Sequence, residues 1–255
     1  MRTFARAFRF QLQLLRRTPD ALQVCCTAPL LAVIFLAVTE HAGRPDLAPV
    51  GVVAPTLMSL WLVVLLAAGQ IITDERNLGT LEAMVATPAR LAVVVFGRLV
   101  AVATVGVVAF AEAWLVAGLV FDRWLVVPHV AVVVGAGTLA ALATAGTASV
   151  LSPLFVLLPS ARILQNSLTY PFYLLGGVAV PVSAYPEWLQ PLSRLVFLSW
   201  AADLLRDGFS AEPVRFAAVR MAMVALLGLI GFAIGAALLA RVLVRVRRDG
   251  TLAHT

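Results

Sequence analysis

Residues 73–90 read TDERNLGTLEAMVATPAR, and the chain on either side is almost wholly apolar, from Gly51 to Ile72 before it and from Leu91 to Phe121 after it. A helix needs roughly 20 residues to cross a hydrocarbon core of about 30 Å, and both flanks are long enough. The polar stretch therefore reads as a connection between two transmembrane helices, and the fold as an all-α integral membrane protein. Composition agrees. Hydrophobic residues make up 62% of the 255 and charged residues 13%, with a mean hydropathy of +0.98, whereas soluble domains carry about 25% charged residues.

Working outward, six apolar runs at about 22–39, 50–72, 91–121, 125–158, 163–182 and 217–243 predict six transmembrane helices in one transmembrane domain over residues 1–255. The third and fourth runs exceed the minimum length, so they tilt, kink (Pro153 offers a point) or project beyond the bilayer. Residues 3–17, TFARAFRFQLQLLRR, are too charged to span. On a helical wheel Phe4, Ala7, Phe8, Leu12, Leu14 and Leu15 fall on one side, and Arg6, Arg9, Gln13, Arg16 and Arg17 on the other. Phe10 and Gln11 break that pattern. The segment predicts an amphipathic elbow helix lying in the interface with its arginines at the lipid phosphates. Charges interleaved with apolar residues argue against a cleaved signal peptide. Thr18 and Pro19 then suit an N-cap and a first helical position for the next helix.

Arginine placement sets orientation. With six spans both termini share a side, which holds Arg2, Arg6, Arg9, Arg16, Arg17, Arg76, Arg90, Arg162, Arg241, Arg245, Arg247 and Arg248. The other side holds Arg44, Arg123, Arg194, Arg206 and Arg215, while Arg98 and Arg220 sit near span ends. That excess puts both termini and residues 73–90 in the cytoplasm. Residues 183–213 then face outward yet stay rich in Leu, Phe and Trp. They read either as a re-entrant helix pair buried in protein or as an external loop anchored by Trp188 and Trp200.

All 19 basic residues are Arg. Without Lys there is neither a P-loop phosphate ligand nor a Schiff-base amine, so any ATP that drives this chain is bound by another polypeptide. Cys25 and Cys26 are neighbours in an apolar run and suggest neither a disulfide nor a zinc site. His41, His129 and His254 form no pair at metal spacing. The net charge of +6 fits lipid headgroups by its distribution, and no nucleic-acid partner is expected.

Within the opening stretch, Leu78 to Ala86 can form about two helical turns, with Leu78, Leu81 and Val85 on one side and Gly79, Thr80, Ala83 and Thr87 on a small, flat opposite side. Asp74 and Glu75 fall at its N-terminal end, where the helix dipole favours acids, and Thr87-Pro88 ends it. Such a helix either docks a partner or merely spaces two spans. DERNLGTLEAMVATPAR resembles the ER-x-x-GT-x-E-x-x-x-x-(T/S)-P segment of ABC-2 type permeases, the membrane subunits of one class of ABC exporters. Tyr170 to Arg206, with its Gly-rich turn, P-x-x-x-x-P-x-W pattern and terminal Leu-Arg, resembles the end of the family's fifth span.

The resemblance implies that residues 73–90 are a coupling helix, with Asp74, Glu75, Arg76, Gly79, Thr80, Leu81, Glu82, Thr87 and Pro88 meeting an ATPase subunit. Glu75, Arg76 and Glu82 would pair with its charges. It also implies two ATPase copies holding ATP and Mg, no cofactor in this chain, a second permease chain (identical or homologous), and the bacterial plasma membrane. Among subgroups the likeness is to daunorubicin-type drug-resistance exporters of amphipathic compounds. Other readings are a permease for a glycan, lipid or ion, a scaffold or signalling subunit that binds an ATPase, and an intramembrane enzyme, which the lack of a catalytic constellation disfavours.

Candidate substrate-pathway residues are Glu112, Asn166, Tyr170 and Tyr173. An intramembrane carboxylate is a functional hypothesis by default. Glu112 is alternatively a structural partner for Arg98, Arg123 or a neighbouring helix. The small residues Gly135, Ala140, Thr144 and Ala148 suit close helix packing.

Overall fold

The computed structural model describes residues 2–17, 20–79, 91–157 and 162–249, and every regular element among them is helical. In chain order these are α1 (Arg2–Leu15), α2 (Asp20–His41), α3 (Ala48–Asn77), α4 (Leu91–Gly106), α5 (Val108–Leu119), α6 (Val130–Ser149), α7 (Ser152–Leu157), α8 (Arg162–Leu175), α9 (Gln190–Ser193), α10 (Phe197–Gly208) and α11 (Ala217–Asp249).

The core forms around α3, because that helix is apolar on every side and α2, α4, α5, α6 and α10 pack about it. Its Trp61 is buried near the middle, stacked on Phe172 at 4.3 Å and tilted against Phe197 at 6.3 Å. Hydroxyls ride in the spans by bonding their own helix. Thr104 donates to the Val100 carbonyl at 2.8 Å, Thr144 to Ala140 at 2.7 Å and Thr147 to Ala143 at 2.9 Å. Helices α6 and α11 run parallel in close contact, with Gly228 against Ala143 and Gly231 against Thr147.

Among the described residues four stretches are long and apolar enough to cross a membrane, Ala48–Glu75, Leu91–Leu119, Val130–Leu154 and Ala217–Val242. The apolar part of α2, Cys26–His41, is shorter. Three expected spans change shape. The third is interrupted at Val107 without a proline and changes partners there, α4 packing on α6 and α5 on α2. The fourth starts only at Val130 and breaks at Val150–Leu151 before α7, whose second residue is Pro153.

The fifth expected span, 163–182, does not continue as one helix. Helix α8 has 14 residues, about 21 Å at 1.5 Å per residue. Gly177 then turns the chain out of the helix with φ +59, a conformation that costs other residues a Cβ clash. Residues 182–213 hold a 3-10 turn at Val182–Ala184 and the helices α9 and α10. Helix α10 buries Leu198, Ala201, Leu204 and Leu205 in the core, so this is no surface loop. It begins beside Trp61, midway along α3, and ends where the Gly208 carbonyl accepts from the His129 amide at 3.3 Å.

Candidate functional site

One end of the bundle gathers α1, the end of α3, the start of α4 and the end of α6. There α3 runs on to Asn77. Asp74, Glu75 and Arg76 therefore occupy its last turn, and not the N-terminal end of a separate helix as the sequence suggested. The correction reverses the electrostatics, because the C-terminal end of a helix dipole opposes acids. The helix stops where the Leu78 amide donates to the Asp74 carbonyl at 2.9 Å and Gly79 adopts φ +67. Gly79 has nothing within 4 Å of a Cβ position, and Leu78 is exposed. Thr80, Leu81, Glu82, Thr87 and Pro88 lie outside the described residues, as does the Arg76 side chain.

What offsets the misplaced charge of Glu75 is Arg98. Its side chain, 3% exposed, donates from Nη1 to Glu75 Oε1 at 2.7 Å and from Nε to Gln11 Oε1 at 2.7 Å. The guanidinium carbon also lies 5.3 Å from the centre of the Phe10 ring. Three helices thus meet on one buried cation. The sequence places each of them simply. Ala7, Gln11 and Leu15 form a buried i, i+4, i+8 stripe on α1. That stripe seats on α4 where Gly97 leaves room, a Cβ there falling 3.1 Å from the Phe4 carbonyl. The arginines Arg6, Arg9, Arg16 and Arg17 stay exposed.

Tyr170 and Tyr173 come together with Leu31, Phe35, Met58 and Tyr185 around a cleft of about 700 Å³ between α2, α3 and α8. The Tyr173 hydroxyl donates to the Met58 carbonyl at 2.7 Å, which fixes its ring, while Tyr170 is exposed. The Asn166 side chain lies outside the description. Glu112 is half-buried on α5. The two arginines considered for it are engaged elsewhere, Arg98 with Glu75 and Arg123 with Glu40. Arg98 also stands 14 residues away along the chain, about 21 Å of helix, so the Arg98–Glu112 pairing is excluded.

At the other end of the bundle, Asp203 bridges Arg194 at 2.7 Å and Arg206 at 3.3 Å, and Arg194 lies 4.9 Å over the Trp200 ring. Arg206 also donates to the carbonyls of Gly177 and Val178, the latter at 2.5 Å. These bonds satisfy the turn that ends α8. Burial pushes the Tyr185 phenol above its ordinary value, with Arg206 acting in the opposite sense.

Arg98, Gln11 and Arg206 were not among the candidate site residues read from the sequence. The signals existed. Arg98 interrupts a long apolar run, and Phe10 and Gln11, which broke the pattern of α1, both touch it. A family model described as ABC-2 type transporter matches residues 2–210, which takes in every helix from α1 to α10. No curated protein matches the chain.

Proposed function

The chain belongs to the ABC-2 type transporter family, as a multi-pass permease subunit, and on that premise we propose that it is the membrane half of a drug-resistance-type exporter. Two copies of a separate ATPase bind ATP and Mg, while this chain has no catalytic site or cofactor of its own. A second permease chain, identical or homologous, completes the pathway. Six segments (α2, α3, α4–α5, α6–α7, α8 and α11) enter the bacterial plasma membrane, with α1 as the elbow helix, both termini in the cytoplasm, and α9 and α10 as the outer re-entrant pair. Residues 73–90 are the coupling segment.

The family match carries this proposal. An amphipathic cargo is favoured by the cleft around Tyr170 and Tyr173, whose described lining is aromatic and aliphatic apart from Thr169 and holds no carboxylate. Such walls suit apolar bodies with few polar groups.

The test is the coupling segment. Glu82→Arg should leave insertion and expression near normal, because a cytoplasmic residue meets no bilayer penalty. It should weaken co-purification of the ATPase, since like charges juxtaposed at an interface cost several kcal/mol. Export should fall in parallel. Full retention of both ATPase and export would reduce residues 73–90 to a spacer.

A further inference from the structure

Arg98 serves two helices at once, and one of them is the amphipathic helix at the end of the bundle. A buried guanidinium survives only where its donors are taken, because desolvation otherwise exceeds what the charge recovers. Here the donors go to different elements, Nε to Gln11 on α1 and Nη1 to Glu75 on the last turn of α3, both at 2.7 Å. The guanidinium is planar, so these two N–H groups hold a fixed relation to each other. Gln11 and Glu75 cannot separate without breaking one bond. A lysine has one ammonium and no such fork.

Nothing in the packing of α1 calls for a glutamine at 11. Its stripe neighbours Ala7 and Leu15 are apolar and buried, and a leucine at 11 would complete the stripe. A polar group buried in an apolar seam is costly unless it is hydrogen-bonded, and the bond it makes is to Arg98. Glu75 stands two residues before Asn77, where α3 ends, and four before the positive-φ Gly79.

We infer that Arg98 is a positioning residue that joins α1 to the coupling end of α3, so that α1 moves with the coupling segment as one body and is more than a surface anchor. This rests on the coupling role proposed above for residues 73–90. The exposed Arg6, Arg9, Arg16 and Arg17 then tie that moving body to the headgroup layer.

The test uses the permease with its ATPase in vesicles of phosphatidylethanolamine and phosphatidylglycerol, with Cys25 and Cys26 replaced by Ser. Spin labels go on Thr3→Cys with Leu78→Cys, and separately on Leu78→Cys with Val126→Cys, all three positions being exposed. Val126 lies in the connection at the far end. Distances are measured without nucleotide and after trapping with ATP and vanadate.

We expect the 78–126 distance to shift on trapping and the 3–78 distance to hold its original width. Gln11→Leu should split the 3–78 distribution, raising the separated population roughly 10- to 100-fold, as loss of a hydrogen bond to a charged group implies. Gln11→Glu keeps the acceptor and should behave like the parent. A 3–78 distance that changes as much as 78–126 in the parent overturns the joint, as does a Gln11→Leu variant with an unchanged distribution. A 78–126 distance indifferent to trapping would instead overturn the coupling role itself, and the joint with it.

Discussion

Gly228 on α11 faces the backbone of α6. A Cβ added there falls 2.6 Å from the Ala143 Cα and 2.7 Å from the Ala143 Cβ. Carbon atoms pack at about 3.5–4.0 Å, so Gly228→Ala is short of room by about 1 Å. The obstacles are main chain and a β-carbon, and neither can rotate away. Helices α6 and α11 must therefore move apart along a seam that also holds Gly231 against Thr147 and Gly235 against Ser149.

Overpacking of this kind costs about 1–3 kcal/mol. Against that stands the helix-propensity gain of Gly→Ala, about 0.8–1.0 kcal/mol. Gly137→Ala isolates the gain, because nothing lies within 4 Å of a Cβ on that residue of α6. The difference between the two variants is then the packing cost alone, about 1–3 kcal/mol. Unfolding in detergent micelles on titration with dodecyl sulfate, followed by tryptophan fluorescence, measures it. Gly228→Ala should unfold at a lower dodecyl sulfate fraction than Gly137→Ala. Coincident curves, or the reverse order, would refute the close parallel contact of α6 and α11.

Arg98→Met should destabilise the fold by about 3 kcal/mol, the low end for breaking a buried pair because Glu75 keeps some exposure; Arg98→Met with Glu75→Gln should recover most of it in the same titration. In a background lacking Cys25 and Cys26, Thr80→Cys and Ser210→Cys should react with an impermeant thiol reagent from opposite sides of the membrane, and same-side labelling would sink the six-segment topology. The Arg44 hydrogen bond holds the Asp46 carboxyl below its ordinary value. Any stability from the pair is therefore fully present above the ordinary carboxylate pKa and lost as pH falls through the lowered one. Both side chains are well exposed, so Arg44→Ala should leave the unfolding midpoint at pH 7 unchanged.

The helical class and the long spans were legible because the bilayer demands length and apolarity, and α3, α4–α5, α6 and α11 supply both in unbroken runs. The fifth run misled because GGVAVPV is as apolar as a span. Hydropathy does not register that Gly177 turns the chain. Asp74 and Glu75 were assigned to the wrong end of a helix for a related reason. A polar residue does not stop a helix, and α3 continued until Gly79 did. The Arg98 site was harder. Its three parts lie 87 and 23 residues from one another along the chain, and the signals were a lone arginine in an apolar run and the two exceptions on the face of α1.

The grip of Arg206 on the turn after α8 bears on how the chain is made. Helix α8 is too short to cross alone, and its terminal turn carries carbonyls that lipid cannot solvate. The guanidinium that satisfies them lies 29 residues further on. During synthesis the segment has no stable seat in the membrane until α10 has also emerged, so residues 162–208 must partition from the translocation machinery as one unit. A nascent chain stalled before Arg206 leaves the ribosome should keep a cysteine at Val178, fully buried in the folded chain, open to aqueous thiol reagents, and release of the whole unit should protect it. Protection in the stalled chain would mean that α8 inserts without its partner.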